Sequence, residues 1–115
     1  TLLDRYFAVG SAKPDLVSDA TRALQAEMVE VNRQDASQLT QWLAQKNRDK
    51  VGRMAHRING GARMMNITAL QQACEALETA CHDERTWQEI EILVGRVLEE
   101  MTRFNQQLSS DEEVR

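Results

Sequence analysis

A histidine set among arginines is the part of this sequence best suited to chemistry. His56 stands in the run Arg48-Asp49-Lys50-Val51-Gly52-Arg53-Met54-Ala55-His56-Arg57-Ile58-Asn59-Gly60-Gly61-Ala62-Arg63-Met64-Met65. Placed at about 100° per residue, Val51, Met54, Ala55, Ile58, Ala62 and Met65 share one stripe, about 100° wide, as a core-facing helix surface requires. Gly52, Arg53, His56, Gly60 and Arg63 fall on the opposite side, so His56 is expected in solvent. Histidine as a residue type titrates near pH ~6.5, which leaves much of it as uncharged imidazole, a competent nucleophile, at neutral pH. Attack on a phosphoryl group would give phosphohistidine, and the developing charge needs cations nearby. Arg53 and Arg63 share the face, Arg57 flanks it, and Lys50 and Arg48 lie near the helix start. The plainer reading of the same residues is an ordinary solvated basic face.

Two glycines sharpen the choice. Glycine inside a helix costs about 1 kcal/mol relative to alanine, and the apolar period runs through Gly60 and Gly61 without a turn. Gly61 is expected to pack closely against a neighbouring helix. Core packing explains nothing at the outward Gly60, whereas a bare patch beside an imidazole would let another molecule's surface reach the ring.

Other chemistry is thin. His56, Cys74, Cys81 and His82 could be assembled into a zinc site on paper, but no CxxC or HExxH pair exists and both cysteines lie on a helical core stripe, so no metal is expected. Seven residues apart on one helix, the two thiols would be separated by about 10.5 Å along the axis, too far for a disulfide. Reduced, buried thiols fit a cytoplasmic location. Trp42, Trp87, Phe104, Met54 and Met65 read as packing residues, with Met64 exposed. No glycine-rich loop follows a strand, which argues against ATP binding.

The elements that must position His56 are helices. In 115 residues there are one proline, five glycines and 4% aromatics, too few for a turn-rich β-sandwich. No apolar run approaches the ~18 residues of a membrane span, and a net charge of −4 makes nucleic acid a poor partner. Leu24, Met28 and Val31 open one helical pattern, capped by Ser18. It bends or restarts near Asp35, which with Gln38 resembles a capping box, and Leu39, Trp42 and Leu43 carry it on. Asn47-Arg48-Asp49 reads as a tight connection with cap residues into the His56 helix, which runs from about Asp49 to Met65 and which Asn66 can end. Thr68 with Gln71 reads as a capping box for the stripe Ile67, Leu70, Cys74, Leu77 and Cys81, and Asp83 or Thr86, the latter with Glu89 three beyond it, starts the helix of Ile90, Val94, Val97, Met101, Phe104 and Leu108. The fold expected is all-α, an antiparallel up-and-down four-helix bundle with a short extra N-terminal helix at Leu2–Phe7. Its parts are an N-terminal helix and connection over 1–18, the bundle over 19–108 and a polar, frayed tail over 109–115. A start at Thr1 with no signal peptide reads as a piece of a longer protein.

The run Ala55-His56-Arg57-Ile58-Asn59-Gly60-Gly61-Ala62-Arg63, with Asn66 beyond, resembles the motif of histidine-containing phosphotransfer (HPt) domains: Ala-His, any residue, Leu or Ile, Lys, Gly, a small residue, then Ala or Ser. The helix layout fits the resemblance over nearly the whole chain, especially to HPt domains at the C-terminus of tripartite hybrid sensor kinases. The resemblance implies that His56 is the phosphoacceptor and that Gly60 opens room for the docking partner. Asn59 departs from the family lysine, and Arg63 or Arg57 is the implied substitute. Arg53, Arg57, Asn59, Gly60 and Arg63 together make the expected phosphoryl and partner surface, with apolar rim residues on the Val51 and Met64 sides. The resemblance further implies a relay domain without catalytic machinery of its own. It would take a phosphoryl group from the parent kinase's receiver domain and pass it to a response regulator, with no cofactor in this chain, Mg²⁺ on the receiver and no membrane contact.

Two rivals remain in view. A histidine-kinase dimerisation hairpin usually has an acidic residue after the histidine and a proline soon after, whereas here Arg57 follows and the only proline is Pro14. A helical docking or structural module would leave Gly60 beside an exposed histidine without a purpose.

Overall fold

Three helices end in the same way. Lys46, Asn66 and Glu84 each take a left-handed backbone, with φ of 52°, 60° and 53°. Around the first, Lys46 N–H donates to the Leu43 carbonyl at 2.9 Å and Asn47 N–H to that of Trp42 at 3.0 Å. Asn66 and Ile67 donate likewise to Arg63 and Ala62, and Glu84 and Arg85 to Cys81 and Ala80. Each pair is a Schellman closure, which satisfies carbonyls that a helix end leaves unpaired.

The computed structural model describes residues 14–113, and the side chains of 19–109. It has four helices: α1 Pro14–Ala44, α2 Arg48–Met64, α3 Thr68–His82 and α4 Trp87–Glu113. Connections this short make consecutive helices antiparallel. α1 packs on α2, α2 on α3, α3 on α4, and α4 returns to α1, which makes an up-and-down bundle. Leu39, Val51, Ala55, Leu70, Cys74, Leu77, Ile90, Val94 and Val97 fill its centre, each essentially without exposure. Each buried leucine, isoleucine or valine contributes about 1.5–3 kcal/mol of transfer free energy, so the stripes read from the sequence are what hold α2 in place. Two expected caps form. The Asn47 side chain accepts from Lys50 N–H, and the Thr86 hydroxyl accepts from Glu89 N–H, each at 3.2 Å.

The short helix expected at Leu2–Phe7 lies outside the described residues. Other expectations give way. α1 starts at Pro14 rather than after Ser18, because a proline has no N–H to leave unpaired and its φ is already helical. α1 also runs unbroken through Asp35. Asp35 is only 8% exposed, and Arg57 from α2 meets its carboxylate at 3.3 Å, so the buried acid has a cationic partner and the helix has no cause to break. Thr68 and Gln71 form no capping box. The N-cap residue is Ile67, with no side-chain cap, and the Gln71 amide reaches back to the Ala62 carbonyl at 3.5 Å. α4 continues past Leu108 to Glu113, through the start of the tail expected at Ser109. Met65 falls beyond the end of α2 and is 41% exposed rather than in the core.

Candidate functional site: the α2–α3 groove around His56

α2 and α3 run antiparallel, so positions that rise along one fall along the other. Gly52 lies on Cys81, where an added Cβ would stand 3.3 Å from the cysteine Cβ. One turn on, the His56 Nδ1 meets the Glu78 Oε1 at 2.8 Å. Two turns further, Arg63 meets Glu75 at 3.2 Å. The close approach at Gly52 brings the two helices near enough for an imidazole on one to reach a carboxylate on the other.

The His56 side chain is 81% exposed and that of Glu78 only 28%. A carboxylate only accepts, so in the neutral ring the hydrogen sits on Nδ1 and is donated to Glu78. Nε2 is then left with its lone pair directed away from α3. The ring stands in an open groove of about 630 Å³ that Arg53, Asp49 and Gly52 also line. Nothing lies within 4 Å of the place a Cβ would occupy at Gly60, so the approach next to the ring is bare, as its place on the helix suggested.

The other expected site residues separate. Arg53 stays on the His56 face and pairs with Asp49 at 3.1 Å, both side chains well exposed. Arg57 turns towards α1 and Asp35. Arg63 reaches α3 two turns away. Arg48 donates to the Arg85 carbonyl at 2.7 Å and lies 4.9 Å from the Trp87 ring centre, while Lys50 lies over Trp42 at 4.2 Å. Asn59 does not face solvent beside His56. It is 4% exposed, and its Oδ1 is buried with no hydrogen-bond partner. The glycines exchange roles as well. Gly52, expected opposite the core, is the close-packed one, and Gly61, expected to pack closely, has nothing within 4 Å. Val51 is fully buried and contributes no rim, whereas Met64 is 84% exposed.

Glu78 is the residue that sequence reading missed. It follows Leu77 on α3, and nothing local marks it; only the α2–α3 register brings it to His56. The thiols are not rivals as nucleophiles. Burial, reinforced by the nearby Glu78 and Glu75 carboxylates, pushes Cys74 up to about 12. Burial also raises Cys81, against the pull of Arg48. Among the described residues no group of three or more His, Cys, Asp or Glu is gathered for a metal ion.

On the opposite flank of α2, a groove of about 380 Å³ runs between α1 and α2. Leu24, Met28, Val31, Gly61, Met64 and Met65 line it, and Leu24 and Val31 are 58% and 45% exposed. The residue spacing from His56 to Met64 corresponds to about 12 Å along the helix.

A family model described as the Hpt domain matches residues 15–110. The chain belongs to the Hpt-domain family. That match covers all four helices almost to their ends, so the groove and its histidine lie inside an Hpt domain. Hpt domains carry phosphoryl groups on histidine in two-component phosphorelays and interact there with receiver domains. No curated protein and no solved structure gives a match. Among the described residues no helix is long and apolar enough to cross a membrane.

Proposed function

We propose that His56 is the phosphoacceptor of this Hpt domain, taking a phosphoryl group from the aspartyl phosphate of one receiver domain and passing it to the aspartate of another. The observation that carries the reading is the 2.8 Å contact between Nδ1 and Glu78 on a ring that is otherwise in solvent. It holds the imidazole in one orientation and one tautomer, with Nε2 as the free nucleophile.

The Nε2 lone pair forms the N–P bond as the P–O bond to the donor aspartate breaks, and that aspartate leaves as a carboxylate. The Nδ1 proton stays in its hydrogen bond to Glu78, whose negative charge offsets the positive charge the ring acquires. Onward transfer is the reverse displacement, with the second aspartate as nucleophile and the neutral imidazole as leaving group. In-line attack needs the partner's backbone close to the ring, and Gly60 leaves that approach clear. In this reading the Mg²⁺ that neutralises the phosphoryl oxygens comes with the receiver, and this chain contributes no cofactor.

The apolar α1–α2 groove is the surface we assign to the receiver, because it continues along α2 from Gly60 and exposes Leu24, Val31, Met64 and Met65 together. The donor is proposed to be the receiver of a parent hybrid sensor kinase, with this domain at its cytoplasmic C-terminal end, and the acceptor a separate response regulator. The test is phosphoryl transfer from a phosphorylated receiver to wild type and to His56→Gln. Acid-labile, base-stable label on the wild type alone is the expected result. If a receiver of demonstrated activity labels neither protein, the relay reading fails and the domain is a docking bundle.

A further inference from the structure

Asn59, one turn beyond His56, is buried and carries no charge, so a cation of this chain beside a phosphoryl group on His56 has to come from the basic side chains around the ring. We infer that Arg53 is that cation, and that it exchanges Asp49 for the phosphoryl group when His56 is phosphorylated. The inference rests on His56 being the phosphoacceptor and deepens that reading.

The assignment follows from what each basic side chain already holds. Arg57 pairs with Asp35, whose side chain is only 12% exposed, and withdrawing it would leave a buried carboxylate unpaired. Arg48 is fixed by the Arg85 carbonyl and the Trp87 ring, and Lys50 lies on Trp42. Arg63 is seven residues from His56, about 10.5 Å along the axis, and is turned to Glu75. Arg53 differs on every count. It stands three residues before His56, which places the two Cβ atoms about 5–6 Å apart on one helix face. It lines the same groove as the ring. Its only partner shown is Asp49, with the two side chains 77% and 69% exposed, and such solvated pairs are among the weakest. A phosphoryl group carries more negative charge than a carboxylate and presents three acceptor oxygens to a guanidinium that can bind two of them at once. The exchange therefore runs towards the phosphoryl group, and it leaves Asp49 in water, where it needs no partner.

The experiment separates this inference from the one beneath it. Phosphoramidate, a small phosphoryl donor, phosphorylates histidine without any receiver. The phosphoryl ionisation of the product is then followed by ³¹P NMR titration in wild type, Arg53→Ala, Arg53→Lys and Arg63→Ala. Besides His56 itself, Arg48, Asp49, Arg53, Glu78, Cys81, His82 and Glu84 are the charged or titratable groups lining the groove, so Asp49→Asn is titrated beside them. A neighbouring guanidinium favours the dianion, so Arg53→Ala is expected to shift the titration to higher pH. Arg53→Lys should shift it less, Asp49→Asn should shift it to lower pH, and Arg63→Ala should leave it in place. Transfer from a phosphorylated receiver should fall about tenfold in Arg53→Ala, the size of one charge-assisted hydrogen bond, and be partly restored in Arg53→Lys. A phosphoryl group that titrates alike in Arg53→Ala and wild type overturns the inference, as does a shift produced by Arg63→Ala instead. Failure of a receiver to label the wild type would overturn the relay reading, while the ³¹P titration would still decide on Arg53.

Discussion

The two flanks of α2 are built from the same helix yet meet their neighbours in opposite ways. Towards α3 the contact is close and polar: Gly52 lets the backbones approach, and His56 and Arg63 reach Glu78 and Glu75 across the gap. Towards α1 the contact is anchored where the exposed Arg57 meets the sheltered carboxylate of Asp35, and then opens into an apolar groove that Met64 and Leu24 leave uncovered. One flank holds a ring in a fixed orientation, which chemistry requires. The other leaves apolar area exposed, which suits a surface that a partner covers. A relay domain has to do both, and in the proposed reading a single helix divides the tasks between its sides.

The comparison breaks first at Glu78. If the α3 flank is what orients the nucleophile, Glu78→Ala should slow phosphoryl acceptance by up to about 100-fold, the scale of a misplaced reacting group. Glu78→Gln keeps an acceptor for the Nδ1 hydrogen and should recover part of the loss. Imidazole ¹⁵N shifts should show one dominant tautomer in wild type and a mixture in Glu78→Ala. Equal transfer rates with mixed tautomers would mean that the contact is incidental.

The α1 flank is tested by Leu24→Glu and Met64→Glu. Each places a carboxylate in the apolar groove, far from the ring. Receiver binding should weaken about tenfold for each, corresponding to roughly 1.4 kcal/mol, while labelling by phosphoramidate stays at the wild-type rate. Loss of both reactions together would mean that the bundle, not the docking surface, had been damaged.

The division between the flanks was only partly legible in the sequence. The stripe from Val51 to Ala62 fixed which way His56 faces, because burial follows the helical period. Asn47 and Thr86 announced their helix starts by side-chain chemistry that acts within three residues. What could not be read depends on register between helices. Glu78, 22 positions from His56, meets it only because Gly52 sits on Cys81. Asn59, which a helical wheel places at the border of the exposed face, is buried, and its own period does not say so. Asp35 looked like a break because a lone acid on an apolar stripe is costly, and its partner Arg57 lies on another helix. The Met64 surface was anticipated, but its counterparts Leu24 and Val31 read as ordinary stripe residues. Whether a stripe residue is covered depends on a neighbour that the periodicity does not name.

A smaller effect separates the interior behind the α3 flank from its surface. Cys74 ionises only at about 12 when folded, against an ordinary value of 9.0. The raised value means that the folded state holds the thiol proton after the unfolded chain has released it. The resulting stabilisation is fully present below pH 9 and is lost as pH rises from there towards 12. Relative to Cys74→Ala, the wild type should lose about 1.4 kcal/mol per pH unit in that window. Urea denaturation of the two proteins at pH 8 and 10 measures the change. A constant difference would show that the thiol is not held protonated by the core.

The glycines give the smallest effects and the most direct contrast. An alanine methyl at Gly60 or Gly61 would meet nothing within 4 Å, so each substitution should raise stability by about 0.5–1 kcal/mol through helix propensity alone. At Gly52 the same methyl would stand 3.3 Å from the Cys81 Cβ. The propensity gain should be offset there as α3 is pushed back, leaving Gly52→Ala within about 0.5 kcal/mol of wild type or below it. The displacement should also loosen the His56–Glu78 contact one turn away, so Gly52→Ala should show the mixed imidazole tautomers of Glu78→Ala in milder form. Gly61→Ala should keep the wild-type tautomer. A gain at Gly52 as large as at Gly60, with the tautomer unchanged, would show that α2 and α3 can separate without disturbing the ring, and that close packing is not what sets the site.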